Sequence, residues 1–333
     1  MFNAKNLHRV AIATALAIAF SSAFPVAAAD HIVQPVAAIA AQAAQNGVFR
    51  YRLGDFQITA LSDGTVPQDL HALLKGASGP EIDGALARSF HSNPVEASIN
   101  AFLIDTGSRL VLVDTGSGDF FGAGYGGKLV TSLRAAGYEP SQIDDILLTH
   151  IHTDHSGGLV HDGKEVFTKA VIHVGKPDVD FFLDPANQNG VGGYDKAYFQ
   201  QAVASLTPYK ASGRLKPFTG AVQILPGITS QPTPGHTPGH SFYRVESKGQ
   251  SLIFVGDIAH VQAVQFPYPK ITITYDVDQP AAAAQRVTQF KSLSDSGSVI
   301  AGAHLPFPGI SHVRHEGAGY TFVPVDYVNR AGL

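Results

Sequence analysis

The sequence predicts an α+β domain, whose strands in both halves suit two β-sheets packed face to face with helices outside, and three observations bear on that reading. Apolar runs of strand length recur in both halves of the chain. Helical patterns separate some of them. Several of the runs end in a His or an Asp, as strands do when they deliver side chains to one edge of a sheet.

Residues 1–29 read as an export signal. Lys5 and Arg9 form a positive start, Val10 to Phe20 an apolar core, and Ala27-Ala28-Ala29 a cleavage site. The apolar run is too short to span a bilayer, so no stable membrane insertion is expected. The expected destination is a bacterial periplasm, with the mature chain starting near Asp30. Residues 30–47, rich in Ala and Gln, read as a mobile arm, and residues 48–333 as one domain. The formal net charge is −4, and without Lys5 and Arg9 it becomes −6. A nucleic-acid partner would need a basic surface instead. Cysteine is absent, which excludes disulfides, thiolate ligands and a Cys nucleophile.

Within the domain, strand-like runs cover Phe56 to Leu61, Ala101 to Ile104, Leu110 to Val113, Ile143 to Leu148 and Val171 to Val174. Further runs follow at Val222 to Leu225, Ser241 to Val245, Ser251 to Val255, Ile271 to Tyr275 and Val299 to Ala303. Lys128 to Ala136 and Ala281 to Leu293 carry helical patterns, and Gly137 is a C-terminal stop for the first. Pro67 to Pro94 has a broken, polar pattern that suits either an insertion near a pocket or a dimer contact. Asn187 to Gly193 is glycine-rich, a surface loop or a lid.

The chemistry concentrates in Thr149-His150-Ile151-His152-Thr153-Asp154-His155-Ser156-Gly157-Gly158. Alternation puts His150 and His152 on one side of an extended segment. That leaves Asp154 and His155 for a second ion, and imidazole with carboxylate suits zinc, iron or manganese. Downstream stand Pro234-Gly235-His236-Thr237-Pro238-Gly239-His240, then Gly256-Asp257 after one apolar run and His304 after another.

This set resembles the metallo-β-lactamase superfamily. The resemblance implies the four-layer αββα sandwich, with one metal on His150, His152 and His236 and a second on Asp154, His155 and His304. Asp257 would bridge the two, and His240 would be the non-ligand histidine of its turn. Asp114, closing the run Leu110 to Val113, matches the carboxylate that orients a ligating imidazole; a turn with Gly116 is the alternative. The implied cofactors are two divalent ions, zinc first, with manganese, iron or cobalt accepting the same ligands. The implied nucleophile is a hydroxide bridging them.

Departures narrow the branch. Absence of Cys excludes a thiol-ligated β-lactamase site, and His152 stands where the diiron flavoproteins place Glu. Leu53 to Val66, Ala303 to Ile310 and Tyr320 to Tyr327 resemble the methyl parathion hydrolases. That resemblance implies an exported, dimeric hydrolase of phosphotriesters, aryl esters or lactones. It puts Phe121, Phe182 and Phe199 around the leaving group, with Phe182 in place of a Trp. His260 and Tyr275 stand where that branch has apolar side chains. His260, three residues after Asp257, is expected to donate a hydrogen bond to the substrate carbonyl. For His260, Tyr275 and each phenylalanine a plain packing role is the alternative. The expected function is therefore a dimetal lactonase and aryl esterase with slower phosphotriester turnover; the alternatives are a dedicated phosphotriesterase and a metal-storage protein without turnover.

Overall fold

A computed structural model of the chain describes residues 45–330. The signal segment and most of the arm expected before residue 48 lie outside the described residues. Residues from Asn46 onward form one compact unit.

Fourteen strands make two seven-stranded sheets, each in the order of the chain. The first holds β1 (Val48–Leu53), β2 (Phe56–Gln68), β3 (Val95–Asp105), β4 (Leu110–Val113), β5 (Asp145–Leu147), β6 (Val171–Gly175) and β7 (Leu215–Phe218). The second holds β8 (Gln223–Leu225), β9 (Ile228–Pro232), β10 (Ser241–Ser247), β11 (Gln250–Gly256), β12 (Val299–Gly302), β13 (Ile310–Glu316) and β14 (Gly319–Pro324). Pairing is antiparallel from β1 to β4 and parallel from β4 to β7. In the second sheet only β11 and β12 run parallel.

Side-chain alternation divides each central strand between two cores. Ala60, Phe102, Ile104, Val111 and Val113 meet Tyr243, Val245, Leu252 and Phe254 between the sheets. Leu61, Ala101, Leu103 and Leu112 point the other way. They pack under α2 (Leu129–Ala135), α4 (Lys176–Phe182) and α5 (Lys196–Ala211). Ile253, Val255, Ile300 and Val313 pack against Phe290 and Leu293 of α6 (Gln279–Ser296). Helix, sheet, sheet and helix give the four layers. Between β2 and β3, α1 (Gly79–Arg88) packs with residues 261–273 in a separate small core. The expected broken segment Pro67 to Pro94 thus contains a helix. The expected strand from Ile271 to Tyr275 is reduced to Thr272–Ile273, so Tyr275 lies beyond it.

Parallel strands end at the same edge, and β4, β5, β11 and β12 deliver Asp114, His150, Asp257 and His304 there. Buried Asn100 links the sheets at that edge, donating from Nδ2 to the Gly302 and Leu305 carbonyls at 3.1 and 2.7 Å. Among the described residues no helix is long and apolar enough to cross a membrane. Replacing Asn100 with Ala orphans those carbonyls on either side of His304, and the expected loss in a denaturant titration is about 1–3 kcal/mol.

Candidate metal centre

The chain leaves β5 with His150 and His152 on either side of buried Ile151, then turns into α3 (Thr153–Ser156), which carries Asp154 and His155. Gly157 and Gly158 follow because the helix end lies directly on the backbone of residues 115–117. A Cβ at Gly158 would overlap the Thr115 carbonyl. Asp114 reaches this loop from a left-handed conformation at φ +60°, which Asp tolerates better than most residues. Its carboxylate accepts the Thr149 N–H and hydroxyl, both at 2.8 Å, and lies 2.9 Å from His155 Nδ1.

Two groups of ligating atoms converge. His150, His152, His236 and Asp257 form one; Asp154, His155 and His304 form the other, and the atoms within each lie within 4.8 Å of one another. Asp257 stands between them. Its Oδ2 is 3.2 Å from Nε2 of both His236 and His304, and its Oδ1 is 3.2 Å from His155 Nε2.

The outward nitrogens decide what the inward ones can do. Nδ1 of His155 faces Asp114, Nδ1 of His236 faces Asp276 at 2.8 Å, and Nδ1 of His304 faces the Ser98 carbonyl at 2.8 Å. Each of these acceptors holds the ring proton outside, which leaves the Nε2 lone pair facing in. Nε2 of His236 lies 3.0 Å from His152 Nδ1 and 3.2 Å from His150 Nε2. Lone pairs at that separation repel unless a proton or cation lies among them. His155 Nε2 and Asp257 Oδ1 are buried with no hydrogen-bond partner. The donor set of imidazoles and carboxylates therefore fits two divalent ions.

Charge in the metal-free protein follows the same partners. Burial lowers His236, but Asp257 and Asp276 outweigh it and push the imidazole up to about 9. Burial likewise opposes His155 and His304, and the carboxylates around them hold both above the ordinary histidine range. Burial holds His150 and His152 well below it. Asp257 stays well below the usual carboxylate range, because the surrounding imidazoles outweigh its own burial.

His240 shares the turn with His236 but faces away from the ligand groups. Its Nε2 accepts the Asp257 N–H at 3.0 Å and its Nδ1 meets Thr233 Oγ1 at 2.9 Å. Burial brings it down to about 3, so it is neutral.

A cleft of about 500 Å³ opens on the ligands, walled by Phe121, Leu73, Tyr198 and Tyr275. The segment Pro67 to Leu73 lies beside this cleft. Phe182 and Phe199 do not line it, which corrects the expectation for both. They are fully buried in the core under the first sheet, and Phe182 meets His152 edge-on at 5.6 Å. Helix packing claims these rings, and Tyr198, one residue before Phe199, faces the cleft instead. No residue of 187–193 lines the cleft; neighbouring Tyr194 stacks on His152 at 5.7 Å, and its hydroxyl bonds the Tyr275 carbonyl.

His260 sits deeper than a wall residue. Its Nε2 lies 3.0 Å from Asp257 Oδ2 and its ring stacks on His304 at 5.1 Å, so Asp257, His260 and His304 make a third possible ligand group. Sequence reasoning missed Asp276, Thr149 and Tyr198. Asp276 ends an apolar run as Asp114 does, but no motif singles it out. Behind it lies buried Arg286, 3.7 Å from its carboxylate.

Two outcomes check this arrangement. Asp276→Ala is expected to weaken metal binding about 10–100-fold while the far-ultraviolet circular dichroism stays unchanged. Because His155, His236 and His304 must lose protons to bind metal, affinity is expected to fall as pH drops below about 9. Calorimetry in buffers of different ionisation enthalpy should then detect protons released on loading.

Known proteins share this fold. The structure is similar to that of the hydrolase AbOPH of the beta lactamase superfamily, with 35% identity and a TM-score of 0.81 over 85% of this chain and 99% of that one. It is also similar to AidC, a dizinc quorum-quenching lactonase, with 29% identity, a TM-score of 0.78 and the same coverage. In sequence the chain is 26% identical over 174 residues to the N-acyl homoserine lactonase AiiA of Bacillus thuringiensis subsp. kurstaki. That match covers 46% of this chain and spans 61% of the length of the lactonase. The profile of the metallo-beta-lactamase superfamily matches residues 95–304, from the start of β3 to the last candidate ligand. The chain belongs to the metallo-beta-lactamase superfamily.

Proposed function

We propose that the protein opens lactones and cleaves aryl esters at a dizinc centre. One ion would be held by His150, His152 and His236, the other by Asp154, His155 and His304, with Asp257 between them. The observation that carries this reading is the pair of ligand groups on either side of the Asp257 carboxylate at the floor of a largely apolar cleft. Likeness to AidC and AiiA supports a lactone as the substrate class. When bound, two divalent ions supply Lewis acidity at the ester carbonyl and make hydroxide available near neutral pH.

The chain's own residues do the rest. Asp257 stays ionised and places its negative charge between the two groups. Phe121, Tyr198 and Tyr275 give flat walls against which an aryl or lactone ring stacks. Burial holds His260 near 4, so its imidazole is neutral at physiological pH; its Nε2 lies 3.0 Å from Asp257 Oδ2, and its Nδ1 has no hydrogen-bond partner within the protein. With its proton on Nδ1, the ring would donate to the oxygen that gains charge as the carbonyl is attacked.

A second reading rests on a separate observation. The stretches Leu53 to Val66, Ala303 to Ile310 and Tyr320 to Tyr327 resemble the methyl parathion hydrolases, which supports slower phosphotriester turnover in the same cleft. Export to the periplasm and a homodimer complete the proposal; fractionation of the native host and sedimentation test those two points.

With metal supplied, kcat/KM on dihydrocoumarin is expected to exceed that on methyl parathion, and a chelator to abolish both. A larger value on methyl parathion would overturn the lactonase reading in favour of a dedicated phosphotriesterase. His260→Leu is expected to shift the ratio toward the phosphotriester; an unchanged ratio would remove His260 from the mechanism.

A further inference from the structure

Asp178 is fully buried in the first turn of α4, close to the candidate ligands yet not one of them. Its Oδ2 accepts the Ile151 N–H at 2.8 Å and the Thr237 hydroxyl at 2.9 Å, and its Oδ1 accepts the Gly239 N–H at 2.5 Å. Ile151 lies between His150 and His152, and Thr237 follows His236. One carboxylate therefore ties together the two loops that bring in the three histidines of the first ligand group. Below it, the Ser241 N–H donates to the Thr149 carbonyl at 2.9 Å and closes the base of the same pair of loops.

The fit is close on every side. A Cβ at Gly239 would lie 2.5 Å from the Asp178 nitrogen and 2.9 Å from its Cβ, so the turn closes onto the carboxylate only with glycine there. Phe182, one helical turn beyond Asp178, sets its ring edge-on against His152. Helix α4 thus contacts both loops from behind.

The second ligand group has other supports. His155 is held by Asp114, and His304 by the Ser98 carbonyl. Asp178 makes no hydrogen bond to Asp154, His155 or His304. The two groups meet at Asp257 and where the rings of His150 and His155 pack at 4.0 Å over Thr149, and Asp178 reaches neither contact.

We propose that Asp178 is a positioning residue that controls metal uptake at one site selectively: it locks the loops of His150, His152 and His236 together, so its loss empties that site first. This rests on the two-ion reading above and goes beyond it, because it predicts unequal retention of the two ions. Preorganised ligands bind metal more tightly than ligands that must first be ordered, and a carboxylate bonded to both loops supplies that order. Asp178→Asn keeps one acceptor oxygen where the native residue has two, so it is expected to fall between the native protein and Asp178→Ala.

The test is metal content against graded chelator, followed by elemental analysis and the visible spectrum of the cobalt(II)-loaded protein. Native protein is expected to hold both ions together over a range of chelator in which Asp178→Ala keeps only one. The affinity lost at the emptied site is expected to be about tenfold or more. Thermal melting of the metal-free forms separates misfolding from this effect, and Asp178→Asn keeps the question open if the Ala variant does not fold. Parallel loss of both ions from a folded variant, or native retention of both, would overturn the role of Asp178 alone. A native protein that never holds more than one ion would overturn the two-ion reading, and this proposal with it.

Discussion

Asp257 places a buried carboxylate at the meeting point of five imidazoles, and the rest of the site is arranged around that charge. His150, His155, His236, His260 and His304 all have a ring nitrogen within 3.0–3.6 Å of its oxygens. A buried carboxylate is costly unless positive charge accompanies it. Here the companions are imidazoles whose lone pairs face one another, and they too need a cation. The fold answers by ending β11 at Gly256, where the chain turns with φ +45° and the Asp257 N–H finds His240 Nε2. His240 therefore belongs to the support of Asp257, and its neutrality is what lets it accept that bond.

Support for the ligands is divided by strand. Asp114 at the end of β4 serves His155, Asp276 serves His236, and the backbone of β3 serves His304. Parallel strands end side by side, so residues far apart in sequence reach one edge without long excursions. The irregular connections there are rich in Gly and Pro and sit on a rigid two-sheet base. Substrate chemistry is set one layer further out. Tyr275 and Asp276 are adjacent in the chain, one walling the cleft and the other orienting a ligand, so wall and centre are mechanically joined.

Much of the ligand geometry was legible because it is local. His150, His152, Asp154 and His155 lie within six residues, and extended backbone followed by one helical turn is enough to separate them into two groups. Asp257 and His304 follow apolar runs whose ends are visible as changes in hydropathy. Short apolar runs likewise marked the central strands, and Leu110–Val113 agrees residue for residue with β4. What failed was whatever depends on packing between distant elements. Phe182 and Phe199 carry no signal that distinguishes a cleft wall from a helix interior, and their neighbours Phe181 and Tyr198 are equally aromatic. Helix α5 was not read because Pro208 and scattered polar residues blur its pattern, and its burial comes from the sheet beneath it. Asp276 and Asp178 act through partners 27 to 61 positions away in the chain, beyond the reach of any local motif.

The central claim is that this chain holds two divalent ions that share Asp257. The most direct test is a crystal structure of the metal-loaded protein with anomalous scattering recorded at the metal edge. Two peaks are expected, one among His150, His152 and His236 and one among Asp154, His155 and His304, each in contact with an Asp257 oxygen. A single peak, or a second ion held by Asp257, His260 and His304 away from Asp154 and His155, would contradict the account.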